Sequence, residues 1–190
     1  MTDKSDSRLV ILTGPSCAGK SPLASAIKQY RPQLAKSLAP LVLYNFRSPR
    51  PGEKDGRDYH FRSKHEIEEL GENDRYLTFD VRGNLQAVDV EETQELFEVG
   101  NAFFEVNTFV AQALMHDRRL KTHQSVSIFL SPLSNDEIEE IKDSGTALEK
   151  VVTDLMRQKL IRRQRKKKVD LALPDLEDIE RRAGNALEEL

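Results

Sequence analysis

This sequence predicts an α/β fold, three layers deep, with a parallel core sheet between helices. Three observations carry that expectation. Short apolar runs alternate along the chain with stretches of helical periodicity. The runs at 9–12, 102–107 and 126–130 are mostly apolar rather than alternating, the pattern of strands buried on both faces of a parallel sheet. Between the first run and the first helical stretch, Gly14-Pro15-Ser16-Cys17-Ala18-Gly19-Lys20-Ser21 satisfies every constrained position of G-x-x-x-x-G-K-[ST].

The elements follow in order. Leu9-Val10-Ile11-Leu12 is long enough for a buried strand, and Leu23, Ala24, Ile27 and Tyr30 then recur at helical spacing, so strand, loop and helix fill residues 8–30. The loop between them has the chemistry of a phosphate cradle. Gly14 and Gly19 allow backbone angles that turn successive N–H groups inward, and the positive end of the next helix faces the same point. Lys20 can reach β- and γ-phosphates, and the Ser21 hydroxyl can ligate Mg²⁺. Cys17 reads as a tolerated small residue, with oxidation sensitivity as the alternative. Residues 38–44 read as a strand with Pro40 near its start. Residues 47–61, rich in Pro, Gly and charge, read as an ordered loop. Ser63 with Glu66 forms a capping box for a helix to about 70, and residues 76–81 and 85–88 form a hairpin around Arg82-Gly83-Asn84. A helix over 91–99, a second buried strand at 102–107, a helix carrying Val110, Ala113 and Leu114, and a third buried strand at 126–130 complete the sheet. Helices at 134–142, 146–168 and 175–190 close the chain.

Composition bounds what this fold can do. The chain has 190 residues, enough for one domain or one domain with a small insert. Hydrophobic residues make up 38% and charged residues 32%, and the net charge of −3 supplies no global basic field to recruit nucleic acid. The one cysteine excludes an internal disulfide framework and fits a reducing compartment. Residues 1–8 lack an apolar signal region and no run approaches membrane-spanning length, so the expectation is a cytoplasmic enzyme, monomer or homodimer, with no membrane partner. His60, His65, His116 and His123 show no metal-ligand spacing and read as surface or capping residues.

A second motif narrows the function. Arg47-x-x-Arg50-x-Gly52-Glu53-x-x-Gly56-x-Asp58-Tyr59-x-Phe61 places two forked guanidiniums and a phenol on one loop, donors suited to a phosphate monoester carrying about two charges near neutral pH. Together with the phosphate loop, this stretch resembles the guanylate kinase family, closely over residues 8–63 and usably to about 130. The resemblance implies a P-loop kinase fold whose core spans about 8–44 and 100–190, with an acceptor-binding β insert at 45–90 and a helical lid at 134–150. It implies ATP and Mg²⁺ on residues 14–21, and an acceptor nucleoside monophosphate, nominally GMP, whose phosphate is held by Arg47, Arg50 and Tyr59. Lys20, Arg47, Arg50 and Glu105 are the catalytic candidates.

Elsewhere this chain departs from the family pattern. Where that family carries a Ser and a guanine-reading Glu, this chain has Leu43 and Thr78, and its hairpin return strand carries Gln86 and Val88 in place of a Tyr and a hydroxyl. Thr78 and Gln86 are the remaining candidates to read a polar ring, so the acceptor stays open between GMP, another nucleotide and a sugar phosphate. The family's Asp-x-Asp becomes Glu105-Val106-Asn107: Glu105 is the metal candidate with Ser21, and its place beside Phe103 and Phe104 reads as buried. Asn107 keeps hydrogen bonding for the substrate. The lid arginines have no counterpart in Ser144-Gly145-Thr146, and Arg157 and Arg162 on the long helix are the replacement candidates. Two alternatives stand beside the kinase: a guanylate-kinase-like binding module, disfavoured by the complete phosphate loop, and a P-loop kinase acting on nucleic acid, motivated only by the basic run 157–168.

Overall fold

The structure, a computed structural model, describes residues 7–50, 52–121, 123–166, 170–186 and 188. Pro51 of the acceptor motif, the last residues of the basic run (167–168) and the expected end of the last helix (187, 189 and 190) lie outside the described residues.

Two four-stranded sheets share one hydrophobic core. In the first, β2 (Leu38–Pro40), β7 (Asn101–Glu105), β1 (Arg8–Thr13) and β8 (Gln124–Phe129) lie side by side in that order, all parallel. β1 is central because its apolar run is buried on both faces; Leu9, Ile11 and Leu12 are all at most 2% exposed. In the second sheet, β4 (His60–Phe61) pairs parallel with β3 (Tyr44–Asn45), which runs antiparallel to β6 (Asn84–Asp89), and β6 pairs with β5 (Tyr76–Val81). The β5–β6 hairpin turns at Arg82 and Gly83, both at positive φ (57° and 77°), the pairing that matches strand twist in a two-residue turn. Leu9, Ile11 and Phe104 of the parallel sheet pack in one cluster with Leu41, Leu43, Val81 and Val88 from the second sheet and its approaches.

Helices α1 (Lys20–Tyr30), α2 (Pro32–Lys36), α4 (Val90–Val99) and α5 (Thr108–His116) connect the strands, and α3 (Lys64–Gly71) covers β5 and β6. The expected capping box is present: the Glu66 amide donates to Ser63 Oγ, and the Ser63 amide donates to Glu66. A second box of the same kind, Ser134 with Glu137, opens α6 (Asn135–Asp143). After it, α7 (Leu148–Lys166) and α8 (Leu173–Gly184) pack against each other through Val152, Met156, Ala183 and the nearby Ala186, with Cys17 of the phosphate loop against the same cluster.

Three sequence expectations need correction. Residues 38–44 form two strands rather than one: the chain leaves the parallel sheet after Pro40, at its edge where a missing N–H is tolerated, and enters the second sheet at Tyr44. β8 is not a buried strand. It is the edge of the sheet, and all six of its residues are exposed, Val126, Ile128 and Phe129 included. The later helices pack on one another and on the phosphate loop, and an apolar run reads alike whether or not another layer lies over it. The same holds for α1, none of whose residues is fully buried, so the sheet is less covered than the pattern implied.

Candidate active site

The site is built where β1 and β7 end, the carboxyl edge at which open parallel sheets bind ligands. Thr13 leads into the phosphate loop, and Gly14 holds φ 136° with its Cα turned to the Leu130 carbonyl, which any Cβ would strike. Gly19, at φ 109°, is the N-cap residue of α1, so the loop hands over to a helix N-terminus as the motif demands. Cys17 holds φ 61°, a left-handed conformation uncommon outside glycine, and keeps it against Ala183, Ala186 and Met156. The Lys20 ammonium donates to the carbonyls of Gly14 (2.5 Å) and Pro15 (3.0 Å). Burial pushes it down to about 8; Glu105 opposes that shift, and Arg82 and Arg182 reinforce it.

Ser21 and Glu105 meet. The Ser21 hydroxyl donates to Glu105 Oε1 at 2.5 Å, because the register of β1 with β7 sets Leu12 opposite Glu105, at the end of the strand beside the loop. Glu105 is exposed, however, so the cost of a buried carboxylate does not arise, although Phe104 and Val106 on either side of it are buried. Asn107 caps α5, its Oδ1 accepting from the Val110 amide at 3.0 Å, which gives it a role in the fold.

The acceptor loop is ordered by its own charges. Arg47 lies in a two-pronged pair with Glu53 (2.6 and 2.8 Å), donates also to the Ser48 carbonyl, and sits 5.0 Å over the Tyr59 ring. Glu53 additionally accepts from the Arg50 amide at 2.8 Å. Burial pushes the Glu53 carboxyl up, but the bonds from Arg47 and the Arg50 amide outweigh it and leave it below the ordinary range. Arg47 is thereby a brace that fixes Tyr59 and the loop. Arg50 turns the other way, toward α8, where its guanidinium lies 3.4 Å from Asp178. Burial, then Arg182 and Arg47, bring Arg50 down to about 10.

The base-reading candidates separate. Thr78 is opposite Ala87 and Phe79 opposite Gln86, so Thr78 and Gln86 point to opposite faces of the hairpin and cannot read one ring together. Thr78 lies beside Gly71 of α3, while Gln86 is buried on the face shared with Asn45. Leu43 and Val88 are part of the central core. A one-residue difference in hairpin length changes the facing of every side chain, which sequence alone does not register.

The lid candidates also fall elsewhere. Arg157 is held by Glu180 (2.7 and 2.9 Å) and Asp154, and its work is to tie α7 to α8. Arg162 is exposed on α7. The cations that do reach the phosphate loop were not singled out from sequence. Arg182 Nε donates to Ser16 Oγ at 3.2 Å, and Arg82 Nη1 lies 3.5 Å from the same oxygen. Arg181 donates to the Arg82 carbonyl and pairs with Asp178, which also lies 3.4 Å from Arg182. One signal was available: Arg182 stands between Ile179 and Ala186 on the apolar stripe of the last helix, where a charge is out of place unless it has work to do. For Arg82, at a hairpin tip, no sequence signal existed.

Comparison with known proteins agrees with this geometry. The guanylate kinase family model matches residues 6–183. The guanylate kinase of Desulfitobacterium hafniense (strain Y51) is 33% identical over 147 residues, covering 76% of this chain and 70% of that one. That of Synechococcus sp. (strain JA-3-3Ab) is 36% identical over 141 residues, 73% of this chain and 61% of that one. A crystal structure of guanylate kinase from Anaplasma phagocytophilum shares the fold at a TM-score of 0.53 and 21% identity, across 98% of this chain and 88% of that one. With a complete phosphate loop, an arginine-bearing acceptor loop and a family match over nearly its whole length, this chain belongs to the guanylate kinase family.

Proposed function

We propose that this chain is an ATP-dependent phosphotransferase that moves the γ-phosphoryl group of ATP to GMP, giving ADP and GDP. One observation carries the reading. The phosphate loop and Arg50 of the acceptor loop are joined through a single pair on α8, since Arg182 reaches Ser16 while Asp178 reaches Arg50. Two anion pockets therefore open on one gap. Lys20 and the loop amides bind the triphosphate; Arg50 binds the acceptor phosphate, with Tyr59 oriented by Arg47. The burial of Lys20 and Arg50 strengthens their attraction for phosphate oxygens.

Magnesium fits the donor set. The Ser21 hydroxyl and the Glu105 carboxylate are hard oxygen ligands hydrogen-bonded to each other at the end of the loop, and a cation held with the help of substrate phosphates needs only one or two such groups. When bound there it would offset charge on the β- and γ-phosphates. The segment at about 45–90 is the acceptor-binding unit in this reading, and 134–150 a lid without arginines. Among the described residues no helix is long and apolar enough to cross a membrane. A cytoplasmic location, as monomer or homodimer, belongs to the same proposal.

The test is ADP release measured with ATP against a panel of monophosphates. GMP should support turnover above all others. The absence of turnover with every phosphorylated acceptor would overturn the reading.

A further inference from the structure

We propose that Arg182, assisted by Arg82, is the charge-stabilising arginine of phosphoryl transfer in this enzyme, delivered by the C-terminal helix and the hairpin tip in place of a lid. The inference rests on the kinase reading above and concerns which residues carry it out.

Two guanidiniums from distant parts of the chain converge on the Ser16 hydroxyl, at 3.2 Å from Arg182 and 3.5 Å from Arg82. Ser16 follows directly on Gly14 and Pro15, whose carbonyls hold the Lys20 ammonium, so the three cations gather at the opening half of the loop. Arg50 stands across Asp178 from Arg182. This is the gap that a phosphoryl group must cross. Mutual repulsion is the second observation. Burial and then Arg182 depress Arg82 to about 10, and Arg82 and Arg182 both depress Lys20. Cations held together at a cost, with Asp178 beside Arg50 and Arg182 and Glu105 acting on Lys20, are a site organised for a more highly charged anion than these carboxylates supply.

The supports are specific. Arg182 is only 11% exposed, fixed by Asp178 one turn earlier, and its helix is seated on the phosphate loop through Ala183 and Ala186 against Cys17. Arg82 is aimed by a turn that holds it at φ 57°, and its carbonyl is tied to Arg181. Meanwhile α6, in the lid segment, contains no arginine.

In the transfer step an acceptor phosphate oxygen gives an electron pair to the γ-phosphorus, and the bond from that phosphorus to the β–γ bridging oxygen breaks with its pair leaving on ADP. With both phosphates ionised no proton is released. Negative charge moves onto the equatorial and leaving oxygens, where a guanidinium beside Ser16 meets it.

The experiment measures steady-state kinetics with ATP and GMP for the unmodified chain, R182A, R182K, R82A and the loop control K20A, with melting temperatures for each. R182A is expected to lose about 100-fold or more in kcat with ATP KM changed less than about threefold, to melt near the unmodified chain, and to regain part of its rate with added guanidinium. R82A should lose less, and R182K should fall between. A kcat for R182A within about threefold of the unmodified chain overturns the inference while leaving the kinase reading intact. So does a loss that follows a lowered melting temperature and resists guanidinium rescue, which marks Arg182 as a staple of α8 only. An unmodified chain without turnover overturns the kinase reading and this inference with it.

Discussion

Lys20 shows how a single residue records its site. It is held down to about 8 by burial and by neighbouring guanidiniums, and an incoming triphosphate must raise it again. Binding of ATP should therefore take up protons at about pH 9, where the free lysine has largely lost its own, and far less at about pH 7. Calorimetry in buffers of differing ionisation enthalpy measures this directly, and equal uptake at both would speak against it. The sign for stability is the reverse of a salt-bridged lysine. The unfolded chain binds this proton more tightly, so the charged Lys20 weakens the fold below about 8, and the penalty fades as pH rises toward 10.5. K20A should accordingly fold well and transfer nothing. Gly14 is constrained otherwise, by φ 136° and by the Leu130 carbonyl facing its Cα. G14A should cost stability by about 2 kcal/mol or more and abolish turnover, as read by denaturant titration and by assay.

Among the elements, the acceptor loop is the clearest case of structure written in charge. Three carboxylates tie it: Glu53 to Arg47 and the Arg50 amide, Asp58 to the Lys54 amide and Arg57, and Asp55 to the Phe61 amide and Arg62. All three are held below their ordinary range. Their contribution is thus present above the unfolded carboxylate values and is lost as pH falls through the lower folded ones. Protection of the backbone amides of residues 52–61, measured against their intrinsic exchange rates, should fall as the solution is acidified below about pH 4, before the parallel sheet opens. E53Q should free Arg47, weaken its hold on Tyr59, and raise the GMP KM with little change in melting temperature; an unchanged KM would show that the brace is irrelevant to the acceptor. R50A removes the donor itself, and the loss of a charge-assisted hydrogen bond, about 1.5–3 kcal/mol, predicts a GMP KM raised tenfold or more.

For the molecule as a whole, the shared core decides how the two sheets behave. Phe104 lies at the centre of a cluster that takes in both sheets, from Leu9 and Ile11 to Val81 and Val88. The parallel sheet and the β4-β3-β6-β5 sheet should then melt together. F104A should lose about 3–5 kcal/mol and shift one cooperative transition, with near- and far-ultraviolet circular dichroism coinciding. Two separated transitions would mean that the sheets are stabilised independently. The site sits where this arrangement leaves an opening, at the carboxyl ends of β1 and β7, with α8 laid across it.

Features built from residues close together along the chain could be read from their order alone. Gly14, Gly19, Lys20 and Ser21 define a phosphate cradle because one loop and one helix end suffice to build it, and Ser63 with Glu66 caps α3 because both partners fall within one turn. The ordered loop at 47–61 was legible for the same reason, its arginines and Tyr59 lying within thirteen residues of each other. Tertiary structure alone decided the rest: that Thr78 and Gln86 face apart, that β8 stays uncovered, that Arg157 ties two helices, and that Arg82 and Arg182 meet over Ser16, partners separated from it by 66 and 166 positions. Strand facing depends on a register that one residue can reverse, and helix docking depends on which apolar stripes find each other, so neither is fixed until the chain has packed.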